Sequence, residues 1–246
     1  MFLTRRISST MKILFQTPLF FAFFYASTVF GMQDLASRDA AKTQYRSAGT
    51  FLYAKDDTTG TAQVLLGKEL RYVNPSSKEL IPYVFNFTGH KESADVDARE
   101  TALRETREEM AGVVTKVDLE NLSTAPSLVS SQGGHITYFV ETHTIDLDRI
   151  RVAAQKIRMC RDQEALASGE PKKPSGIEKV EWFYCDFLAL QADAREFVGG
   201  NTKDGGKTGF KNMLFPRFAH MVATLPEEIL DLLKNSTEKT DSPMQK

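Results

Sequence analysis

Residues 89–112 read GHKESADVDARETALRETREEMAG and carry acidic side chains more densely than any other segment of the chain. Asp97 has the position of a helix N-cap, Glu100 follows three residues later, and residues 98–110 contain neither proline nor glycine. Because most of this run consists of good helix formers, the sequence predicts a helix over residues 98–110.

The predicted helix has two chemically different faces, because successive residues are rotated by about 100°. Small or apolar side chains gather on one side: Ala102, Leu103, Thr106 and Met110. Carboxylates gather on the other: Glu105, Glu108 and Glu109. Such carboxylates repel by roughly 0.2–0.5 kcal/mol per pair, and a hard divalent ion such as Mg²⁺ prefers this oxygen-rich environment. The alternative is a solvated face, in which Arg104 pairs with the glutamates four residues before and after it.

The spacing of these residues resembles the Nudix box. That pattern is a glycine, five residues, a glutamate, seven residues, and then Arg-Glu-aliphatic-x-Glu-Glu-x-Gly-aliphatic. Gly89 matches the first glycine, and residues 104–109, Arg-Glu-Thr-Arg-Glu-Glu, match the core. A strand predicted over residues 83–87 precedes the glycine, which is the context that the motif requires.

The chain departs from the Nudix pattern at three places. Asp95 stands where the first box glutamate is expected, and Arg104 then follows one residue late. Thr106 replaces the aliphatic residue. Ala111 stands in the slot of the closing glycine, and Gly112 comes one place later.

The resemblance implies an α/β (α+β) fold, a Nudix-type α/β/α sandwich with a mixed β-sheet between helices, over residues 49–236. It also implies hydrolysis of a pyrophosphate bond in a nucleoside diphosphate linked to another group, with Mg²⁺ or Mn²⁺ as cofactor. The partner is then a small nucleotide-derived molecule whose identity the sequence leaves open, as it leaves the substrate-binding residues unknown.

The matching positions imply roles for individual residues. Glu105, Glu108 and Glu109 carry over as metal ligands, with the carbonyl of Gly89 as a further one. Arg104 carries over as the residue that orients the acids, pairing with an aspartate in place of the usual glutamate, and it completes a catalytic set with Glu105 and Glu108. The general base stays open between Glu105 and three acids outside the box: Glu141, Glu178 and Glu181.

A second hypothesis is a Nudix-fold module that binds nucleotide without turnover. Thr106, the displaced Gly112 and the expected export of the chain favour it. A glycine-rich loop at residues 199–208 is not a P-loop, because Asn201 stands where the first glycine is required. Three lysines in or after this loop are candidates for contact with a substrate phosphate: Lys203, Lys207 and Lys211.

The amino terminus has the order of a secretory signal peptide. Three basic residues and no acid precede or flank an apolar run over residues 13–26, and small residues at Val29 and Gly31 suit a cleavage site. We expect a signal peptide at residues 1–31 and an exported, periplasmic or secreted chain without stable membrane contact. An N-terminal anchor is the alternative, and Met11 is an alternative start. The net charge of −1 falls to −4 after cleavage, so nucleic acid is not an expected partner.

The rest of the chain predicts further elements around the acidic helix. A polar lead-in covers residues 32–48, a hairpin joins 51–53 to 62–66, and strands cover 127–131, 135–141 and 178–187. A helical insertion is expected at 146–176, a closing helix at 217–234 and a flexible tail at 237–246. Cys160 and Cys185 are the only cysteines, and a disulfide and two free thiols both remain open, as does the oligomeric state.

Overall fold

The structure, a computed structural model, describes residues 44–56, 60–72, 79–115, 119–130, 134–168, 179–200 and 208–234. The predicted signal peptide, all but the end of the predicted lead-in, the glycine-rich loop from 201 to 207 and the tail lie outside these ranges. Within the described ranges, no helix is both long and apolar enough to span a bilayer.

Seven strands and five helices make up the described part of the chain. The strands are β1 (Ser47–Lys55), β2 (Ala62–Tyr72), β3 (Leu80–Phe85), β4 (Phe87–His90), β5 (Ser127–Val129), β6 (His135–Glu141) and β7 (Lys179–Asp186). The helices are α1 (Ala98–Glu109), α2 (Leu147–Ser168), α3 (Phe187–Val198), α4 (Pro216–Ala223) and α5 (Glu227–Lys234).

All seven strands form one mixed sheet, in which β1 is central. The amino-terminal half of β1 pairs with β4 and the carboxyl-terminal half pairs with β2, both antiparallel. Its other edge pairs with β6 in parallel, and β5 continues the sheet beyond β6. The strand β2 also pairs with β3 and β7. The predicted hairpin is therefore confirmed, and β4 brings Gly89 beside the start of β1.

The sheet has a hydrophobic core on each face. Phe51 and Phe139 lie in the core beneath α3, α4 and α5. Leu52 and Trp182 lie in the core beneath α1 and α2. Because neighbouring residues of a strand point to opposite faces, a strand such as β1 contributes apolar side chains to both cores. The predicted α/β/α sandwich with a mixed sheet between helices is confirmed.

Two local predictions need correction, and one helix is missing from them. The single closing helix is wrong, because Pro226 has no N–H to donate and the chain breaks there into α4 and α5. The prediction of residues 83–87 as one strand leading to a glycine loop is also wrong: Asn86 separates β3 from β4, and Gly89 lies within β4. Helix α3 was not predicted, although Asp186 caps it by accepting a hydrogen bond from the N–H of Ala189 at 2.9 Å.

Candidate active site on the acidic helix

Helix α1 begins where the sequence predicts. The side chain of Asp97 accepts a hydrogen bond from the N–H of Glu100 at 2.9 Å, as an N-cap does. The carboxylate of Glu100 in turn accepts a hydrogen bond from the N–H of Val96 at 2.8 Å. At the other end, the indole N–H of Trp182 donates to the carbonyl of Glu109 at 3.2 Å. Both ends of the helix are thus held by hydrogen bonds.

Thr106, which replaces the usual aliphatic residue, packs against the sheet as a satisfied polar group. Its hydroxyl donates to the carbonyl of Ala102 at 2.6 Å and lies 2.7 Å from the hydroxyl of Thr50 in β1. Because the Thr106 proton is used within the helix, Thr50 is the donor of the second bond. A buried hydroxyl with two partners costs little, so this departure from the family pattern fits the fold.

Arg104 is bound by Asp95 in a two-point contact. Its Nε and Nη2 atoms donate to the two oxygens of Asp95 at 3.1 and 2.9 Å. Asp95 also accepts from the hydroxyl of Thr101 and the N–H of Glu92, both at 2.8 Å. These bonds, with Arg104 first, hold the pKa of Asp95 well below its usual range. Despite the extra residue between Gly89 and Arg104, the loop presents Asp95 where the box glutamate is expected.

The same guanidinium gathers the acids of the helix. Its Nη1 atom lies 2.9 Å from Glu105 and 3.3 Å from Glu108. Glu92, which the sequence reasoning missed, lies 3.5 Å from Nη1. Burial raises the pKa of Glu105, the charge of Arg104 opposes this, and the charges of Glu108 and Glu92 add to it. Arg104 is therefore the cation that these carboxylates share.

Gly89 leaves room for the carboxylate of Glu105. A Cβ atom on Gly89 would lie 2.0 Å from the carboxyl carbon of Glu105. The neighbouring carbonyl, that of His90, accepts a hydrogen bond from Nη2 of Arg104 at 2.7 Å. The structure thus brings Gly89, Arg104, Glu105 and Glu108 together at one end of the sheet.

Glu109 lies elsewhere than the sequence predicts. The helical wheel places it on the acid face, but in the structure it is only 4% exposed. Its carboxylate accepts a hydrogen bond from the N–H of Thr88 at 3.1 Å and lies 3.5 Å from Nζ of Lys179. Burial raises the pKa of Glu109, and the charge of the nearby Lys179 ammonium and the hydrogen bond from Thr88 oppose this rise. The reason for the difference is tertiary, since β7 passes beneath the last turn of α1.

The donor set suits a hard divalent ion only in part. Glu105, Glu108 and the carbonyl of Gly89 supply oxygen atoms alone, which is the chemistry that Mg²⁺ and Mn²⁺ accept. Gly89 provides the space in which the Glu105 carboxylate sits. Across the residues that the structure describes, however, no three acidic, histidine or cysteine side chains converge as a group ready to hold a metal, and Glu109 faces an ammonium.

Two of the candidates for the general base outside the box, Glu141 and Glu181, lie away from Glu105 and Glu108. Glu141 pairs with Tyr53 and Gly89 with Ala48, so they lie roughly 17 Å apart along β1. Glu181 is bonded to Lys68 and lies on the opposite face of the sheet from α1, and Glu178 lies outside the described residues. Lys211 is 1% exposed and bonded to Glu196 at 2.9 Å, so it is not free to contact a phosphate.

Lys179 is a charged residue near the site that sequence reasoning missed. A register shift opposite Lys68 and Glu69 puts Lys179 and Trp182 on the same face of β7, although they are three residues apart. Strict alternation would place them on opposite faces. No spacing signal in the sequence shows such a bulge, so only the pairing of β7 with β2 shows where Lys179 points.

Comparison with known proteins gives structural neighbours only. No protein-family model matches the chain, and no curated protein matches it. Among solved structures, a binary complex of a C. elegans Ap4A hydrolase shares 16% identity at a TM-score of 0.34, covering 68% of this chain and 94% of that chain. A MutT/nudix family protein from Enterococcus faecalis shares 13% at a TM-score of 0.31, covering 70% and 51%.

A third neighbour is the NUDIX domain of Shewanella oneidensis NrtR, solved with ADP ribose, at 11% identity and a TM-score of 0.29, covering 66% of this chain and 83% of that chain. All three neighbours resemble the chain in fold alone. Function is therefore inferred from the chain's own motif and from the geometry around Arg104.

Proposed function

We propose that this chain hydrolyses a pyrophosphate bond in a small nucleoside diphosphate linked to another group, with Mg²⁺ or Mn²⁺ held by Glu105, Glu108 and the carbonyl of Gly89. The observation that supports this most directly is the guanidinium of Arg104, which binds Asp95 at two points and holds Glu105 and Glu108 within 3.3 Å. This arrangement brings the carboxylates of Glu105 and Glu108 close together beside the end of β4.

The chemistry divides between the ion and the protein. When held by Glu105, Glu108 and the carbonyl of Gly89, a divalent ion would neutralise charge on the pyrophosphate and would lower the pKa of a nearby water molecule. Arg104 orients the two carboxylates, and Asp95 in turn orients Arg104. Glu105 is the candidate general base that lies within this cluster, since its carboxylate is 2.9 Å from Nη1 of Arg104 whereas Glu141 and Glu181 lie away from it.

The test is a panel of nucleotide sugars, ADP-ribose, dinucleotides, coenzyme A and nucleoside triphosphates, incubated with Mg²⁺ or Mn²⁺ and with or without a chelator. We expect metal-dependent release of product from one class. Glu105→Gln should lower that rate by about 100-fold or more. Glu181→Gln is the matched control, since this acid lies on the other face of the sheet, and it should leave the rate unchanged. Absence of product from the whole panel would refute the proposal.

A second variant tests the space beside Gly89. In Gly89→Ala the added methyl group overlaps the Glu105 carboxylate, which must turn away. We expect a loss of hydrolysis of about 100-fold, because a displacement of about 1 Å is enough for such an effect, with little change in thermal stability. Gly199→Ala, at the end of α3, is the control with activity retained. Unchanged turnover in Gly89→Ala would show that Glu105 is not needed at this position.

The alternative, a binding module without turnover, is favoured by one observation. The carboxylate of Glu109 is already in contact with Lys179, so the site has one acid fewer than the family pattern implies. Calorimetry distinguishes the two functions: tight ligand binding that Glu109→Gln leaves unchanged, with no product formed, would favour the binding module over hydrolysis.

A further inference from the structure

Lys179 is a fully buried lysine that the proposed reaction does not use. Its side chain is 0% exposed, and its stem crosses Gly67 of β2, where a Cβ atom would lie 2.6 Å from Cδ. Because Gly67 has no side chain, the stem of Lys179 can cross β2 at this residue and bring its ammonium beneath α1. Burial of a lysine is costly without partners, so the groups around Nζ indicate what it does.

Three groups surround the Lys179 ammonium. Its Nζ atom lies 3.5 Å from Glu69 and 3.5 Å from Glu109, and 3.1 Å from the centre of the Phe85 ring. At these distances the ammonium forms two ion pairs and a cation–π contact but no hydrogen bond with the described residues. Ionic attraction and the cation–π contact therefore account for the position of the ammonium.

The charges alternate along a line into the protein. Arg71, a half-exposed residue of β2, donates to the carboxylate of Glu69 at 2.5 and 3.2 Å. Deeper in the protein, Glu69 contacts Lys179, and Lys179 contacts Glu109. Two positive and two negative groups balance each other in this row. Removing Glu109 from it would leave the buried ammonium with one carboxylate that Arg71 already shares, and an uncompensated buried charge is strongly unfavourable.

Both oxygens of Glu109 are therefore in use. One faces Lys179, and the other accepts the N–H of Thr88 in β4. To bind an ion at the surface, the carboxylate would have to abandon both contacts. Glu105 and Glu108 differ from Glu109 in the position of the cation that they contact. Their cation is Arg104, which lies at the rim of the site with 20% of its side chain exposed.

We propose that the Lys179 ammonium serves as the internal cation for Glu109, so that the metal site of this chain is built without Glu109. The second half of this statement rests on the proposed function, and the first half stands on the contacts of Lys179 alone. Lys179 is a positioning residue in this scheme: it holds Glu109 beneath α1 and leaves the divalent ion to Glu105 and Glu108.

Mn²⁺ binding to the full chain, followed by electron paramagnetic resonance of the free ion, tests the metal half without any activity assay. Glu109→Gln should leave the Mn²⁺ dissociation constant within twofold of the parent, whereas Glu105→Gln should raise it at least tenfold. Equal weakening by the two variants would overturn the inference, because Glu109 would then be a ligand.

Urea unfolding of Glu109→Gln, Lys179→Met and the double variant tests the pairing. We expect each single variant to lower the urea midpoint and the double variant to lower it by less than the two shifts combined. Additive shifts would overturn the pairing. A chain that binds no Mn²⁺ would refute the proposed metal site, while this unfolding comparison would still decide whether Lys179 and Glu109 are partners. If Lys179→Met does not fold, the Mn²⁺ comparison of Glu109→Gln with Glu105→Gln decides whether Glu109 is a metal ligand, and so whether the inference holds.

Discussion

Ala111 shows at the scale of one residue how this chain accommodates its departures from the Nudix pattern. It stands in the slot of the closing glycine and has a φ of 55°, and Gly112 follows with a φ of 71°. The left-handed conformation costs an alanine roughly 1–2 kcal/mol. The fold therefore still requires the conformation that glycine adopts freely, and the chain places an alanine there.

The substitution Ala111→Gly should stabilise the protein by roughly 0.5–1 kcal/mol, because relief of the left-handed alanine exceeds the entropy that glycine adds to the unfolded chain. Gly112→Ala is the converse variant and should destabilise by about 1 kcal/mol, although no atom lies within 4 Å of its added Cβ. Urea unfolding of the two variants measures both changes. A loss of stability in Ala111→Gly would contradict the backbone argument.

At the scale of an element, α1 depends on the loop that leads into it. The loop carries Asp95, and Asp95 holds Arg104, in the middle of the helix, through two hydrogen bonds. The extra residue in this loop does not disturb the contact. A pattern of fixed spacing therefore understates how well a loop of different length can present the same carboxylate.

The Asp95 contact predicts a pH dependence of stability. Arg104 holds the folded pKa of Asp95 below its usual range, which is near 3.9 in an unfolded chain. Its contribution is therefore complete above about pH 5 and is lost as the pH falls below about 4 towards the folded value. The difference in urea midpoint between the parent and Asp95→Asn should be constant from pH 7 to 5 and shrink by pH 3. A difference that does not vary with pH would exclude this contact as the cause.

At the scale of the whole molecule, the two cysteines report on packing. Both thiols are free, with Cys160 exposed on α2 and Cys185 buried in β7, so the disulfide left open by the sequence does not form in this structure. Burial raises the pKa of Cys185 to about 12, which suppresses its thiolate form. The two residues should therefore differ sharply in reactivity.

A thiol reagent at neutral pH should modify Cys160 rapidly in the native protein and should modify both cysteines in urea. Cys160→Ser should abolish the rapid reaction, and Cys185→Ser should leave it intact. Detection of no free thiol in the denatured chain would show that a bridge forms instead.

Residues 1–31 lie outside the described part of the chain, and we propose that they direct export and are then removed. The intact mass of protein recovered after expression with these residues should correspond to a start at Met32. Gly31→Arg, which places a large charged side chain at the small-residue position, should block removal. A parent chain that keeps its apolar run and stays with the membrane fraction would support the anchor instead.

Prediction from sequence succeeded where local spacing suffices. The N-cap at Asp97, the extent of α1 and the hairpin of β1 and β2 follow from periodicity and turn residues. It failed at Pro226, where the apolar stripe continues across a break in the backbone, and over residues 187–198, where a helix begins directly after a strand. These failures are local, and each has a residue, Pro226 or Asp186, that could have revealed it.

The sequence by itself determined the acidic helix, the glycine before it and the hairpin of β1 and β2, because these depend on spacings within a few residues. The α/β/α architecture was expected only from the resemblance of residues 89–112 to the Nudix box. Only the tertiary structure decided which acids share Arg104 and which one is buried. Glu109 is paired with Lys179 because a bulge in β7, 70 residues further along the chain, turns that lysine beneath α1. Contacts between residues so distant depend on strand register, which no short motif records.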